Sequence, residues 1–227
     1  MTAPDALPAA VLWDMDGTLV DTEPYWIAAE HEIVAEHGGR WSDELAHQLV
    51  GNPLLVSARF IIANSPLECT PEELVDELLL RVVRQVQRHT PWRPGARELL
   101  TELGELGVPC ALVTMSWQSL ARAVTASLPP DAFRVVVTGD RVTHGKPHPE
   151  PYLGACAALA VQPRECVAIE DSATGVRSAV AAGVPTLAVP HVVAVPDIPG
   201  AVHLSSLAGV RAADLLRYFP GCRASLP

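Results

Sequence analysis

The sequence predicts an α/β protein, a doubly wound parallel sheet with a small helical domain inserted after its first strand. From Arg93 onward, short apolar runs of strand length alternate with helical stretches, a pattern typical of a parallel sheet with helices on both faces. The segment before Arg93 predicts only helices. The 227 residues suffice for one large domain that carries a small one. We therefore expect a catalytic core at 1–21 and 93–227 and a helical cap at 22–92.

The first strand is predicted in the apolar run that begins at Ala10 and ends in Asp14-Met15-Asp16-Gly17-Thr18. Two carboxylates directly after a buried strand are costly unless something compensates their charge. A divalent metal is the simplest compensation. Gly17 permits the tight turn that would bring Asp16 beside Asp14.

Four helices are predicted in the inserted segment. Helix-capping signals open the first, second and fourth of them, and the fourth carries a capping box at Thr70-Pro71-Glu72-Glu73. The expected bounds are 23 to 36 or 37, 43 to 51, 54–63 and 71–88.

The alternating region predicts the remaining strands and helices. We expect strands at 109–113, 133–137, 166–169 and 185–189, and helices at 94–106, 117–127, 149–160, 173–182 and 210–219. Residues 191–200 are rich in Val and Pro and predict an extended loop.

Polar residues follow the predicted strands at the point where each strand ends. They are Asp14 and Asp16, Thr114 and Ser116, Asp140, and Glu170 and Asp171. In doubly wound sheets, ligands bind beyond the carboxyl ends of the strands. We therefore expect these side chains to converge at one edge of the sheet.

The predicted cluster has the chemistry of phosphoryl transfer. Several carboxylates around one point suit Mg²⁺, and Lys146, the only lysine in the sequence, supplies a compact positive charge for a phosphoryl oxygen. Thr114 or Ser116 could donate to the remaining oxygens. Asp14 is the candidate nucleophile, and Asp16 could protonate the leaving group and then deprotonate water.

Four motifs in this order resemble the haloacid dehalogenase-like superfamily. They are Asp14-Met15-Asp16-Gly17-Thr18, Thr114, Gly145-Lys146-Pro147, and the segment 170–176. Within the superfamily, the chain resembles subfamily I, whose small helical cap follows the first strand of a Rossmann-like core and which includes phosphatases and beta-phosphoglucomutases.

The resemblance implies a role for each matching residue. It makes Asp14 the nucleophile that becomes an aspartyl-phosphate, and Asp16 the general acid and base that also gives Mg²⁺ its backbone carbonyl. Thr114 and Lys146 would hold the phosphoryl group. Asp14, Asp16 and Asp171 would be metal ligands, with Glu170 either a ligand or a neighbour of one.

We expect further substrate contacts beside the motifs and in the cap. These expected contacts are Met15, Thr18, Met115, Ser116, Trp26 and Arg59. The substrate itself stays open among sugar phosphates, phosphoglycolate and nucleotides.

Other activities of the superfamily fit the sequence less well. Its dehalogenases lack the second aspartate of the first motif, which is present here as Asp16, and its phosphonate-cleaving members use a cap lysine that this chain lacks. A beta-phosphoglucomutase-type mutase is the closest alternative, but Trp26 stands where those enzymes carry a histidine. Residues 51–55 replace their basic cap stretch, for which Arg59 could partly compensate. A non-catalytic binding or regulatory module would be expected to lose at least one motif residue.

Composition limits the partners and the compartment. A formal net charge of -10 disfavours nucleic acids and anionic membranes, and no apolar run approaches the roughly 20 residues of a membrane span. Residues 1–9 lack the features of a signal peptide. The five cysteines show neither metal-ligand nor redox spacing. We expect a cytoplasmic enzyme with a small-molecule substrate, for which a monomer suffices.

Overall fold

The structure, a computed structural model, describes residues 7–219 and contains one six-stranded sheet in the order β3-β2-β1-β4-β5-β6. All neighbouring strands are parallel. The strands are β1 (Ala10–Trp13), β2 (Cys110–Val113), β3 (Val135–Val137), β4 (Cys166–Glu170), β5 (Thr186–Ala188) and β6 (Ala201–His203). The predicted doubly wound α/β fold is confirmed.

Strand β1 lies at the centre of the sheet because it pairs with β2 on one side and β4 on the other. Its alternate residues face opposite sides, as the period of a strand requires. Val11 and Trp13 pack into one apolar cluster, and Ala10 and Leu12 into another. Burial on both faces explains why this strand is apolar at every position.

Eight α-helices accompany the sheet in the described residues. They are α1 (Glu23–Glu36), α2 (Asp43–His47), α3 (Leu54–Ala63), α4 (Pro71–Arg88), α5 (Ala96–Glu105), α6 (Gln118–Thr125), α7 (Glu150–Leu159) and α8 (Ala173–Ala181). Helix α4 packs against α1, α3 and α6. The segment before α5 thus contains only helices after β1, as predicted.

The chain enters and leaves this helical segment at neighbouring points. The amide of Asp21 donates to the carbonyl of Pro91 at 2.7 Å, and the amide of Arg93 donates to the carbonyl of Leu19 at 3.0 Å. These bonds place the two predicted linkers side by side. The domain boundaries themselves stay a prediction.

The helix-capping predictions hold at two of three sites. Ser42 accepts a hydrogen bond from the amide of Leu45, and Thr70 and Glu73 form the predicted capping box. Thr22 does not cap α1, because its backbone is already helical. Its hydroxyl instead donates to Asp16.

Two predicted elements differ from the observed ones, and one observed strand was not predicted. Helix α2 ends at His47 rather than near Gly51, and the last helix is a 3₁₀ segment at Ala212–Tyr218. Strand β6 follows the Val- and Pro-rich loop and was missed. It has only three residues and pairs with β5 alone, so it carries too little periodicity to be predicted.

None of the helices between residues 7 and 219 is both long and apolar enough to span a bilayer. Cys69, Cys110, Cys156 and Cys166 are free thiols. Cys222 lies outside the described residues. So do residues 1–6 of the segment 1–9, which was predicted to lack the features of a signal peptide.

Candidate active site

The carboxyl ends of β1, β2 and β4 bring the predicted motif residues to one edge of the sheet. Asp14 follows β1, Thr114 follows β2, and Asp171 follows β4. With Lys146, these side chains line one cavity of about 100 Å³, and residues of the helical segment also contribute to its lining. The predicted convergence is therefore present for these strand ends, whereas Asp140 does not line the cavity and instead accepts a hydrogen bond from the amide of Gln118 at 3.1 Å.

Lys146 lies at the base of this cavity with only 5% of its surface exposed. Its ammonium donates to Asp14 Oδ1 at 2.6 Å, to Glu170 Oε1 at 2.6 Å and to the carbonyl of Val113 at 2.8 Å. Burial lowers the pKa of Lys146, but the two carboxylates outweigh that effect and hold it above its usual value. All three donors of the ammonium are therefore used, and Lys146 remains charged.

Asp14 presents one free oxygen. Its Oδ1 is held by Lys146, whereas its buried Oδ2 has no hydrogen-bond partner. Burial raises the pKa of Asp14 to about 7, with Lys146 opposing the rise and Glu170 adding to it. A buried carboxylate oxygen without a partner is costly, so this atom is poised for a ligand or a reaction.

Asp16 is fixed by three hydroxyl groups. Thr22 Oγ1 donates to Oδ1 at 2.5 Å, and Ser116 Oγ and Thr114 Oγ1 donate to Oδ2 at 2.8 and 3.3 Å. The carboxylate of Asp16 therefore joins the start of α1 to the loop after β2. Gly17 makes the turn that places it there, with φ +88°.

Glu170 lies beneath the cavity, fully buried. It accepts hydrogen bonds from the hydroxyl of Tyr152 at 2.7 Å and from Ser172 Oγ at 3.2 Å, in addition to Lys146. A Cβ atom on Gly175 would lie 1.9 Å from its Oε1. Only glycine therefore allows α8 to approach the end of β4 so closely.

Carboxylate oxygens of Asp14, Glu170 and Asp171 lie within 4.8 Å of one another. Burial raises the pKa of Asp171 well above its usual value, and the charges of Asp14 and Glu170 raise it further. One lysine does not balance three buried carboxylates, and an all-oxygen donor set with this excess of negative charge suits a hard cation such as Mg²⁺. These residues therefore fit the predicted metal.

Asp16 is outside that carboxylate cluster. Both of its carboxylate oxygens already accept hydrogen bonds from hydroxyls. Its predicted contribution through the backbone carbonyl stays a prediction.

The predicted substrate contacts divide into two groups. Met115, Ser116 and Trp26 line the cavity. The side chain of Met15 does not, because it is fully buried in the apolar core, and Thr18 directs its hydroxyl to Asp171 Oδ1 at 3.4 Å.

Arg59 is also absent from the cavity. It is exposed on α3, whose contribution to the lining comes from Leu54 and Ser57. Residues three apart share a face of a helix and residues two apart do not, so a side chain at position 59 points elsewhere. Arg59 therefore does not line this cavity, and its expected contact with the substrate stays a prediction.

Two glutamates in the cavity wall were not predicted. Glu23 and Glu30 line the cavity from α1, on either side of Trp26. Burial raises the pKa of each to about 7, Glu30 adds to the rise at Glu23, and Trp41 Nε1 opposes the rise at Glu30 by donating to it at 2.9 Å. The spacing i, i+3, i+7 is the helical signal that could have revealed them.

The family model described as haloacid dehalogenase-like hydrolase matches residues 11–189. The chain is 33% identical to hexitol phosphatase B of Escherichia coli K12, over 95% of this chain and 100% of that relative. It is 32% identical to a phosphorylated carbohydrates phosphatase of Thermotoga maritima, over 77% and 82% of the two chains.

Solved structures indicate the same family as the relatives found by sequence. The structure of CbbY from Rhodobacter sphaeroides in complex with phosphate superposes with a TM-score of 0.80 at 27% identity, covering 90% of this chain and 96% of that one. The resemblance inferred from the motifs is confirmed, and the chain belongs to the haloacid dehalogenase-like hydrolases.

Proposed function

We propose that the protein is a Mg²⁺-dependent phosphomonoesterase that hydrolyses a small phosphorylated metabolite through an aspartyl-phosphate. The observation that carries this proposal is the Asp14 carboxylate, held by Lys146 at one oxygen and unpartnered at the other, beside Asp16 in a cavity. The names of the relatives, a hexitol phosphatase and a phosphorylated carbohydrates phosphatase, support a sugar or polyol phosphate as substrate.

The first proposed step transfers the phosphoryl group to the protein. Asp14 Oδ2 attacks phosphorus, the bond from phosphorus to the ester oxygen breaks, and the departing alkoxide takes a proton from Asp16. In the second step, water attacks the phosphorus of the acyl phosphate and gives its proton to Asp16. The bond to Asp14 then breaks, which regenerates the carboxylate and releases inorganic phosphate.

The surrounding groups support both steps. Ser116 and Thr114 hold Asp16 in the cavity, and Lys146 holds Asp14 by Oδ1, which leaves Oδ2 without a partner. A Mg²⁺ ion bound by Asp14 and Asp171, with Glu170 beside it, would neutralise charge on the phosphoryl oxygens. We propose that residues 22–92 form a cap that excludes bulk water from this reaction.

A mutase is the second candidate, because a structure titled putative beta-phosphoglucomutase from Thermotoga maritima superposes with a TM-score of 0.69 at 29% identity. A mutase must also hold a second phosphate. The described cap residues that line this cavity include no lysine or arginine, which favours the hydrolase.

The test is phosphate release from a panel of metabolite monoesters, with Mg²⁺ and with a chelator. Mg²⁺-dependent release is the expected result. Beta-glucose 1-phosphate with the 1,6-bisphosphate primer is included, because conversion to glucose 6-phosphate without phosphate release would establish the mutase instead. A chain that does neither would be a binding module.

We further propose that the enzyme acts in the cytoplasm on a diffusible small molecule. The four free thiols among the described cysteines support a reducing compartment.

A further inference from the structure

The part of the cavity that faces the leaving group offers acceptors but no cation. We call its polar and aromatic part the cap wall; it consists of Glu23, Trp26, Glu30, Asn52 and Ser57, and the remaining lining from the helical segment is Leu49, Val50, Gly51, Leu54 and Leu78. Among the described residues that line the whole cavity, the basic ones are Lys146 and His191. Lys146 has no donor left, and His191 Nε2 lies 2.9 Å from Asp21 Oδ1.

The two glutamates of the cap wall have capacity to bind hydroxyl groups. Within the described residues, Glu23 makes no hydrogen bond or ion pair, and Glu30 accepts one hydrogen bond, from Trp41 Nε1. Each carboxylate has about four acceptor sites. Hydroxyl protons of a substrate could occupy the free ones.

An anionic leaving group would meet a different environment. A second phosphate or a carboxylate beside Glu23 and Glu30 would face like charge, and the cap wall supplies no cation to offset it. Like-charge contacts in a desolvated site cost several kcal/mol. A polyol would find acceptors at both glutamates, an amide at Asn52 and an aromatic surface at Trp26 for its C–H groups.

We propose that the cap wall selects phosphate monoesters whose leaving group is uncharged and rich in hydroxyls, and rejects leaving groups that carry a second phosphate or a carboxylate. The inference rests on the proposed function, since it places the phosphoryl group at Asp14. It assigns Glu23 and Glu30 as specificity-determining residues. It also removes phosphoglycolate from the substrates that the sequence left open.

The test compares glucitol 6-phosphate with 6-phosphogluconate, because these open-chain esters differ only in a terminal hydroxymethyl group or carboxylate. The assay is run at pH 8, where both glutamates, with pKa values raised to about 7, are mostly ionised. We expect kcat/KM for glucitol 6-phosphate to exceed that for 6-phosphogluconate by at least about 30-fold.

Substitutions of the two cap-wall glutamates test whether the cap wall causes the preference for glucitol 6-phosphate. Glu23→Gln is expected to reduce this ratio about 5- to 10-fold, by raising kcat/KM for 6-phosphogluconate and lowering it for glucitol 6-phosphate. Glu30→Gln should shift it in the same direction. Glu72→Gln is the matched control, since Glu72 is exposed in the first turn of α4, and the same change of charge there should leave the ratio unaltered.

Equal turnover of the two esters, or a ratio that neither cavity variant changes, would overturn the proposal. Hydrolysis of p-nitrophenyl phosphate separates this failure from that of the proposed function. If the protein hydrolyses p-nitrophenyl phosphate but shows no preference for the polyol ester, only the cap-wall inference is contradicted. If it hydrolyses no ester at all, the proposed phosphatase function is contradicted. Calorimetric binding of both esters to Asp14→Asn adds a readout free of turnover, and equal affinities there would also count against the inference.

Discussion

Two groups of carboxylates face the same cavity but stand in different electrostatic surroundings. The strand-end group, Asp14, Glu170 and Asp171, surrounds a buried lysine that lies 2.6 Å from two of its members. The cap pair, Glu23 and Glu30, has no cation beside it among residues 7–219. Burial raises the pKa of Asp14 and of both cap glutamates to about 7, yet only the strand-end group can keep its charge through pairing.

This difference indicates that the strand-end group and the cap pair, both buried carboxylates, have separate functions. Charge that is paired and held at the ends of the strands is suited to chemistry, because Lys146 fixes the attacking carboxylate and favours its ionised form. Charge that is unpaired on a helix face is suited to discrimination between neutral and anionic groups. Each prediction below alters one group and leaves the other intact.

The largest expected effect is on activity, from Asp14→Asn. The change is nearly isosteric but removes the nucleophilic oxygen, so phosphate release should fall by more than about 10³-fold. The thermal midpoint should stay close to that of the wild type. Retention of more than a few per cent of the activity would mean that Asp14 is not the nucleophile.

Lys146→Ala should produce the largest loss of stability. It leaves Asp14 and Glu170 buried without their common partner, a change that costs about 3–5 kcal/mol, and it should also cripple turnover. The loss, measured by urea unfolding, should be smaller at pH 5 than at pH 8, because burial raises the pKa of Asp14 to about 7 and the unpaired Asp14 carboxylate then binds a proton at pH 5. An unchanged rate would remove Lys146 from the site.

Gly175→Ala tests the packing of α8 under the strand-end group. The new methyl group would meet the Glu170 carboxylate at about 2 Å, so we expect a loss of roughly 1–3 kcal/mol in the free energy of unfolding, together with lower activity. Gly154→Ala in α7 is the matched control. Nothing lies within 4 Å of a Cβ atom there, and alanine should stabilise that helix by about 0.5–1 kcal/mol. Equal effects of the two changes would contradict the close approach of Gly175 to Glu170.

Glu30→Gln tests the cap pair, with the smallest expected effect. Burial raises the pKa of Glu30 from 4.5 to about 7, so the folded state binds a proton that the unfolded state releases between these values. The free energy of unfolding of the wild type should therefore fall as pH rises through this window. Glutamine can keep the bond from Trp41 without the charge.

The variant should thus equal the wild type near pH 4 and exceed it by about 1–3 kcal/mol at pH 8. The measurement is chemical denaturation across this pH range. A constant difference between the two proteins would show that Glu30 does not titrate on unfolding.

The strand-end group could be predicted from sequence because its geometry follows from strand order. Asp14, Thr114 and Asp171 each come directly after an apolar run, and parallel strands place their carboxyl ends at one edge. Lys146 is the only lysine in the sequence, so no other lysine could supply the positive charge expected in the site. Even so, the sequence did not show that Lys146 would use all its donors within the protein.

The cap wall could not be predicted in the same way. Which face of α1 or α3 points to the sheet edge depends on how the helices pack, and no local pattern records this. Arg59 was therefore named as a cap contact, whereas Ser57, Glu23 and Glu30 were missed, although the spacing of the two glutamates around Trp26 was visible. The three-residue edge strand β6 was missed for a related reason. It is defined by its pairing with β5, which no local sequence pattern records.

The most direct test of the account is to trap the covalent intermediate. Wild-type protein is mixed with a hydrolysable ester and Mg²⁺, quenched rapidly during the first turnover and treated with borohydride, which reduces an aspartyl-phosphate to homoserine. Peptide mass analysis should find homoserine at position 14 only when the ester is present, and none in Asp14→Asn. Phosphate release without modification of position 14, or with modification at another carboxylate, would contradict the account.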